Sequence, residues 1–276
     1  MLRYILSVLF TVVSTAAIAA PTPEHWVVYY TDSVPVDKFT PFDVIVFDSD
    51  SHPPILSLKA QHKTLIGYLS LGEAESYRTY YKDLESKNLL LKANPNWKDH
   101  RVIDVRNPAW ASYVTDTLIP PILAQGFDGI MLDTMDSVIQ LEDDDPKQYA
   151  GMKQAAVILI KTIRARYPNI KIMLNRGFNI LPLLAGSVDM VMAETTYSLW
   201  SPDTKPALVP IAERQYYLDL LHAAQQQSPA LKIYTIDYWP PDDKKGVENV
   251  YRAQRAEGFV PYVATPNLQN IYMEPQ

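Results

Sequence analysis

The chain has 276 residues, 47% of them hydrophobic and 20% charged, with a formal net charge of −6 at pH 7. That length fits one α/β barrel, and the apolar share supplies a sizeable core, so the composition excludes a disordered chain. The acidic balance disfavours nucleic acid and anionic membranes as partners, and the lack of cysteine removes disulfides, thiolate metal sites and a cysteine nucleophile.

Near its start the chain carries Arg3, an apolar stretch from Tyr4 to Val13 and the small-x-small sequence Ala17-Ile18-Ala19. This pattern predicts a signal peptide over residues 1–19 and a mature domain over 20–276. The expected location is periplasmic or secreted, with no stable membrane anchor, because the stretch is short for a span of about 20 residues. Export without disulfides fits a bacterial protein large enough to be held together by its core.

Eight apolar runs follow, read as strands at Val27–Thr31, Asp43–Asp48, Thr64–Leu71, Ile130–Asp133, Lys171–Asn175, Asp189–Glu194, Lys232–Asp237 and Val260–Thr265. They are continuous rather than alternating, as in parallel strands buried on both faces. Between them, helical spacing predicts helices over Pro108–Gln125, Lys147–Tyr167, Leu208–Gln227 and Asn249–Glu257. Strand–helix alternation repeated around the chain predicts a (β/α)8 TIM barrel. A doubly wound open sheet is the alternative, but no glycine-rich phosphate loop follows the first strand. The segment from Gly72 to Arg106 is expected to form a loop with short helices over the strand-exit face, and the eighth helix is expected to be short or absent.

Barrel chemistry sits where the strands exit. The five histidines form no H-x-H or H-E-x-x-H pattern, and no G-x-S-x-G elbow is present, so neither a metal nor a cofactor is expected. Carboxylates remain. Asp48, Glu73, Asp133, Glu194 and Asp237 end strands, with Asp50, Glu75 and Asp136 just beyond, whereas Asp128 and Asp189 precede their strands at the opposite end. A strand-end Asp often caps the next helix. That accounts for Asp50 better than for Asp133, where Thr134 and Asp136 already offer caps. Two acids flanking a bond are the minimal equipment of a glycosidase, and Asp133 with Glu194 is the favoured pair. Tyr30, Tyr197 and Tyr238 are among the aromatic residues grouped near strand exits, where ring faces can pack on sugars or attract cations.

The runs Gly67-Tyr68-Leu69-Ser70-Leu71-Gly72-Glu73-Ala74-Glu75-Ser76-Tyr77-Arg78, Gly126-Phe127-Asp128-Gly129-Ile130-Met131-Leu132-Asp133-Thr134 and Ala193-Glu194 together resemble glycoside hydrolase family 114. The resemblance covers nearly all of the mature chain. It implies a barrel that cleaves galactosamine-containing polymers without a metal, the named activity being endo-α-1,4-polygalactosaminidase. It carries over Asp133 and Glu194 as the acids of the fourth and sixth strands, and Glu73, Asn175 and Tyr238 as polar groups lining the cleft. The predicted roles are Asp133 as nucleophile and Glu194 as general acid/base in a retaining mechanism, with Glu194 the less solvated of the two. Tyr30, Asp48, Asp136, Tyr197 and Asp237 complete the expected substrate-binding set, suited to a cationic galactosamine polymer. The rival reading is a non-catalytic polysaccharide-binding barrel.

Overall fold

A computed structural model describes residues 23–275, so the expected signal peptide lies outside the described residues. Eight strands form one parallel sheet in which each pairs with the next in sequence. They are β1 (Trp26–Tyr29), β2 (Val44–Phe47), β3 (Thr64–Ser70), β4 (Gly129–Asp133), β5 (Lys171–Asn175), β6 (Met190–Glu194), β7 (Lys232–Tyr238) and β8 (Val260–Ala264). The apolar runs explain this arrangement: Val44 to Phe47 and Ile130 to Leu132 are buried throughout, as strands covered on both faces must be. At the seam, the Tyr30 N–H donates to the Leu268 carbonyl at 2.9 Å. Trp26 packs edge-on against Tyr234 and Tyr262, with centroids 5.3 and 6.1 Å away. The ring is a nearly closed (β/α)8 barrel, as the strand–helix alternation implied.

The connecting helices include Met135–Asp144, Met152–Arg166, Ile211–Gln227 and Lys244–Ala256. Residues 108–124 form one helical stretch broken by a π turn at Val114–Leu118. Pro120 and Pro121 supply no N–H to the turn before them, and the Ile119 N–H reaches back to the Val114 carbonyl. No helix follows β8 among the described residues. The tail is instead fixed by Arg255, whose Nε lies 2.7 Å from the Glu274 carboxylate.

Two details position the barrel rim. At the strand entries, Asp128 accepts from the Leu65 N–H at 2.9 Å and Asp189 from the Ile172 N–H at 2.8 Å. These acids stitch neighbouring strands together, far from the exits. Over the exits, residues 72–106 are more ordered than the expected loop. Glu73–Glu75, His100–Ile103 and Leu90–Ala93 form a three-stranded antiparallel flap, with a short helix at Tyr81–Ser86. The flap buries Ala74, Val102 and Ile103, which gives it an apolar underside. It can fold down only because residue 72 is glycine: a Cβ there would stand 2.2 Å from the Thr134 carbonyl oxygen. No helix of the described residues is long and apolar enough to cross a membrane.

Candidate active site

Asp133, Asn175, Glu194 and Tyr238 are the last residues of β4, β5, β6 and β7. Adjacent parallel strands bring their C-terminal ends to one rim, so the four side chains become neighbours. Hydrogen bonds join them into an unbroken arc. The Asn175 Nδ2 donates to Asp133 Oδ1 and to Glu194 Oε2, each at 2.8 Å, and the Tyr238 hydroxyl donates to Glu194 Oε1 at 2.6 Å. Because one nitrogen touches both carboxylates, their bonded oxygens lie within two 2.8 Å steps of each other. The Thr134 N–H adds a second donor to Asp133 Oδ1 at 2.8 Å.

Burial, and next the charge of Glu194, push the Asp133 carboxyl up from 3.8 to about 7; the Asn175 and Thr134 donors oppose the rise. Glu194 had been expected to be the less solvated of the two acids, but their burial does not separate them. Both side chains are partly buried, and Tyr238 and Asn175 give Glu194 two donors, which solvate its carboxylate from within the protein.

The other expected residues divide into two groups. Tyr30 stands at the mouth, edge-on to Tyr68 at 5.3 Å. Its hydroxyl is raised well above the ordinary range by burial and then by the charges of Asp133, Glu194 and Asp48. Asp48 faces the same mouth but is held by Arg78, 2.8 Å away. Glu73, fully buried under the flap, receives Asn94 Nδ2 at 2.6 Å and pairs with His100 Nδ1 at 3.0 Å. Burial would raise Glu73, but the hydrogen bonds of His100, Ser137 and Asn94 outweigh it and hold its carboxyl below the ordinary range. Asp136 lies at the edge of the mouth, 3.4 Å from Arg176 Nε.

The structure does not bring Asp237 or Tyr197 to the cleft. Asp237 is wholly buried on the outer side of β7, accepting from the N–H groups of Tyr197 and Ser198 at 2.9 Å and from Gln254 Nε2 at 2.6 Å. It anchors the chain after β6 rather than a substrate. The Tyr197 ring lies under Arg214, 4.3 Å away, and packs with the cluster of Val250, Tyr251 and Val263. Conversely, Arg176 was not expected. Its Nη1 donates to the Glu194 carbonyl at 2.7 Å and its guanidinium lies over the Phe178 and Tyr217 rings. Its place directly after Asn175 was the only available signal.

Two close carboxylates at the exits of a parallel barrel, joined by an amide and flanked by Tyr30 and Tyr238, define a glycosidase. Comparison with known proteins agrees and is more specific. The profile of Glycoside-hydrolase family GH114 matches residues 10–276, and the chain belongs to that family. The glycoside hydrolase domain of PelA from Pseudomonas aeruginosa is similar, with 26% identity and a TM-score of 0.81 over 91% of this chain and 98% of that one. Ega3 of Aspergillus fumigatus, solved in complex with galactosamine, shares the fold, with a TM-score of 0.66 at 17% identity over 93% of this chain and 97% of that one. An uncharacterized protein of Deinococcus radiodurans is 29% identical over 245 residues, which are 85% of this chain and 76% of the relative.

Proposed function

We propose that this glycosidase is exported and cuts within α-1,4-linked galactosamine polysaccharide, with retention of configuration. The observation that carries the mechanism is the Asn175 amide shared by Asp133 and Glu194. Retaining glycosidases hold their carboxyl groups about 5–5.5 Å apart and inverting enzymes about 6.5–9.5 Å apart. One bridging nitrogen favours the shorter gap and leaves little room for a water between acid and base. In the first step Glu194 gives its proton to the glycosidic oxygen while an Asp133 oxygen attacks the anomeric carbon. The C–O bond to the leaving sugar breaks and a glycosyl ester forms. In the second step Glu194 takes a proton from water, and that water displaces Asp133.

The chemistry needs one proton on the pair, and the placement of that proton is a property of the pair. With Asp133 pushed to about 7, the protonated and ionised forms of the free protein are comparably populated near neutrality. A sugar ammonium beside Asp133, and the positive charge that develops on the ring, favour the Asp133 anion and leave the proton for Glu194. The substrate reading rests on this fit, on the acids Asp48 and Asp136 around the mouth, and on the galactosamine bound by Ega3. Export rests on the leader-like residues 1–19.

The test combines four measurements. Asp133→Asn and Glu194→Gln should each slow the release of reducing ends by orders of magnitude, because each removes a transition-state role. Product size should fall through intermediate lengths, as internal cutting requires. NMR of the first product should show the α anomer, and a β product would refute retention. Fractionation and N-terminal sequencing should find a mature chain starting near Ala20.

A further inference from the structure

A groove of about 410 Å³ opens beside the catalytic rim, a size typical of sites that enclose small molecules. Its inner end is formed by Asp136 and Arg176, which both border the catalytic pair. From there Asp136, Gln140 and Asp144 all line it, spaced four residues apart on helix Met135–Asp144. That spacing puts them on one face, and each step advances about 6 Å away from the rim. The flap at Asn94 and Asn96 forms the opposite wall, and the exposed ring of Tyr216 stands at the edge.

Among the described residues, the four carboxylates of this groove differ in their partners. Glu73 pairs with His100 at 3.0 Å, Asp136 with Arg176 at 3.4 Å, and Asp143 with Lys153. The groove's Lys92 is turned toward the Tyr149 ring, 5.9 Å from its centroid. Asp144 contacts only the neutral Gln140 Nε2, at 2.6 Å. Its neighbours in sequence have structural work. Glu142 accepts from the Gly151 and Lys153 N–H groups, and Asp145 from those of Lys147 and Gln148. Asp144 has no such task, and an acid in the last turn of a helix opposes the macrodipole. A surface acid in an unfavourable position, facing a groove that leads to the active site, is one that a ligand explains.

We propose that the Asp136–Gln140–Asp144 stripe is a track for the polymer beyond the cleaved bond. Asp144 is its outer site for the ammonium of a deacetylated amino sugar, Gln140 serves ring hydroxyls, and Tyr216 is a platform for a ring face. This rests on the substrate reading above.

The test uses Asp133→Asn protein, which binds without turnover, and calorimetry with deacetylated galactosamine oligomers of two and of eight rings. Adding Asp144→Asn should weaken the long oligomer by about three- to fivefold, the scale of one exposed ion pair. Raised salt should erase the difference. The short oligomer and a fully N-acetylated long one should bind unchanged by this substitution. Asp116→Asn, on the barrel flank, is the control for net charge. If Asp144→Asn affects long and short oligomers alike, or affects neither, the track is wrong. If the unsubstituted enzyme releases no reducing ends from the polymer and Asp133→Asn binds neither oligomer, the substrate reading fails and the track fails with it. Cleavage by the unsubstituted enzyme, together with length-independent binding, removes the track alone.

Discussion

Replacing Asp133 by Asn should make the protein more stable while it destroys activity, and the gain should depend on pH. Both hydrogen bonds to the Asp133 side chain, from Thr134 N and Asn175 Nδ2, end on Oδ1. An amide oxygen in that place keeps both, so the substitution removes a charge and little else. The carboxyl is raised from 3.8 to about 7, so the folded state binds its proton more tightly than the unfolded chain does. The stability from this group is therefore fully present below about pH 4 and is lost as pH rises through about 7. At about 1.4 kcal/mol per pH unit the full loss is about 4 kcal/mol. Asp133 is only partly buried, and solvent screening brings the figure nearer 2 kcal/mol. For a domain of this size that corresponds to a Tm gain of about 4–8 °C for the variant at pH 8. Thermal unfolding of both proteins at pH 4 and pH 8 measures it. The variant should gain at pH 8 relative to its difference at pH 4. An equal difference at the two pH values would refute the strained, charge-opposed carboxylate.

Three further outcomes concern the arc and the strands that carry it. Asn175→Ala removes a donor that lowers Asp133, so the alkaline limb of kcat/KM, expected near the Asp133 value of about 7, should move to higher pH; a fixed or lowered limb would contradict the bridge. Asp237→Ala strips an acceptor from two backbone N–H groups and from Gln254 at a fully buried site, each worth about 1–3 kcal/mol, so Tm should fall sharply while the rate per folded molecule falls far less than in Glu194→Gln. Thr195→Gly should leave Tm within a few degrees, since relief of left-handed strain offsets the added freedom of the unfolded chain, yet it should lower kcat by loosening Glu194; an unchanged kcat would show that this strain does not position the acid.

The barrel and its two acids were legible because both depend on where apolar runs stop. Ile130-Met131-Leu132 ends at Asp133 and Val191-Met192-Ala193 ends at Glu194, and parallel pairing alone brings such ends together. What failed was facing. Successive strand residues point to opposite sides, so Asp237 and Tyr238 cannot both serve the mouth. With Tyr238 turned to Glu194, Asp237 must turn outward, toward Gln254 on helix Lys244–Ala256. Tyr197 lies beyond the end of β6, where no periodicity fixes a direction. The flap was missed as a sheet because its strands are only three or four residues long, too short to show alternation. The role of Asn175 was invisible for another reason: sequence places an amide at a strand end but does not say that it touches two acids.

The backbone after these residues explains how such a close pair is held. Thr134, Arg176 and Thr195 follow Asp133, Asn175 and Glu194, and all three are left-handed, with φ of 67°, 53° and 57°. Such a conformation costs a non-glycine residue about 1–2 kcal/mol, and it recurs here at three consecutive strand exits. Each is locked by a hydrogen bond that the sharp turn makes possible. The Thr134 N–H folds back to Asp133 Oδ1, the Arg176 N–H reaches the Met192 carbonyl of β6, and the Thr195 N–H reaches the Ile236 carbonyl of β7. The chain thus leaves each strand abruptly, keeping the last side chain at the rim while the next residue is tied to its own acid or to the neighbouring strand. Two carboxylates that repel each other would relax apart on flexible loops. Fixed to the ends of adjacent paired strands by strained but well-bonded turns, with one amide between them, they cannot, and this rigidity preserves the short gap that the proposed chemistry needs.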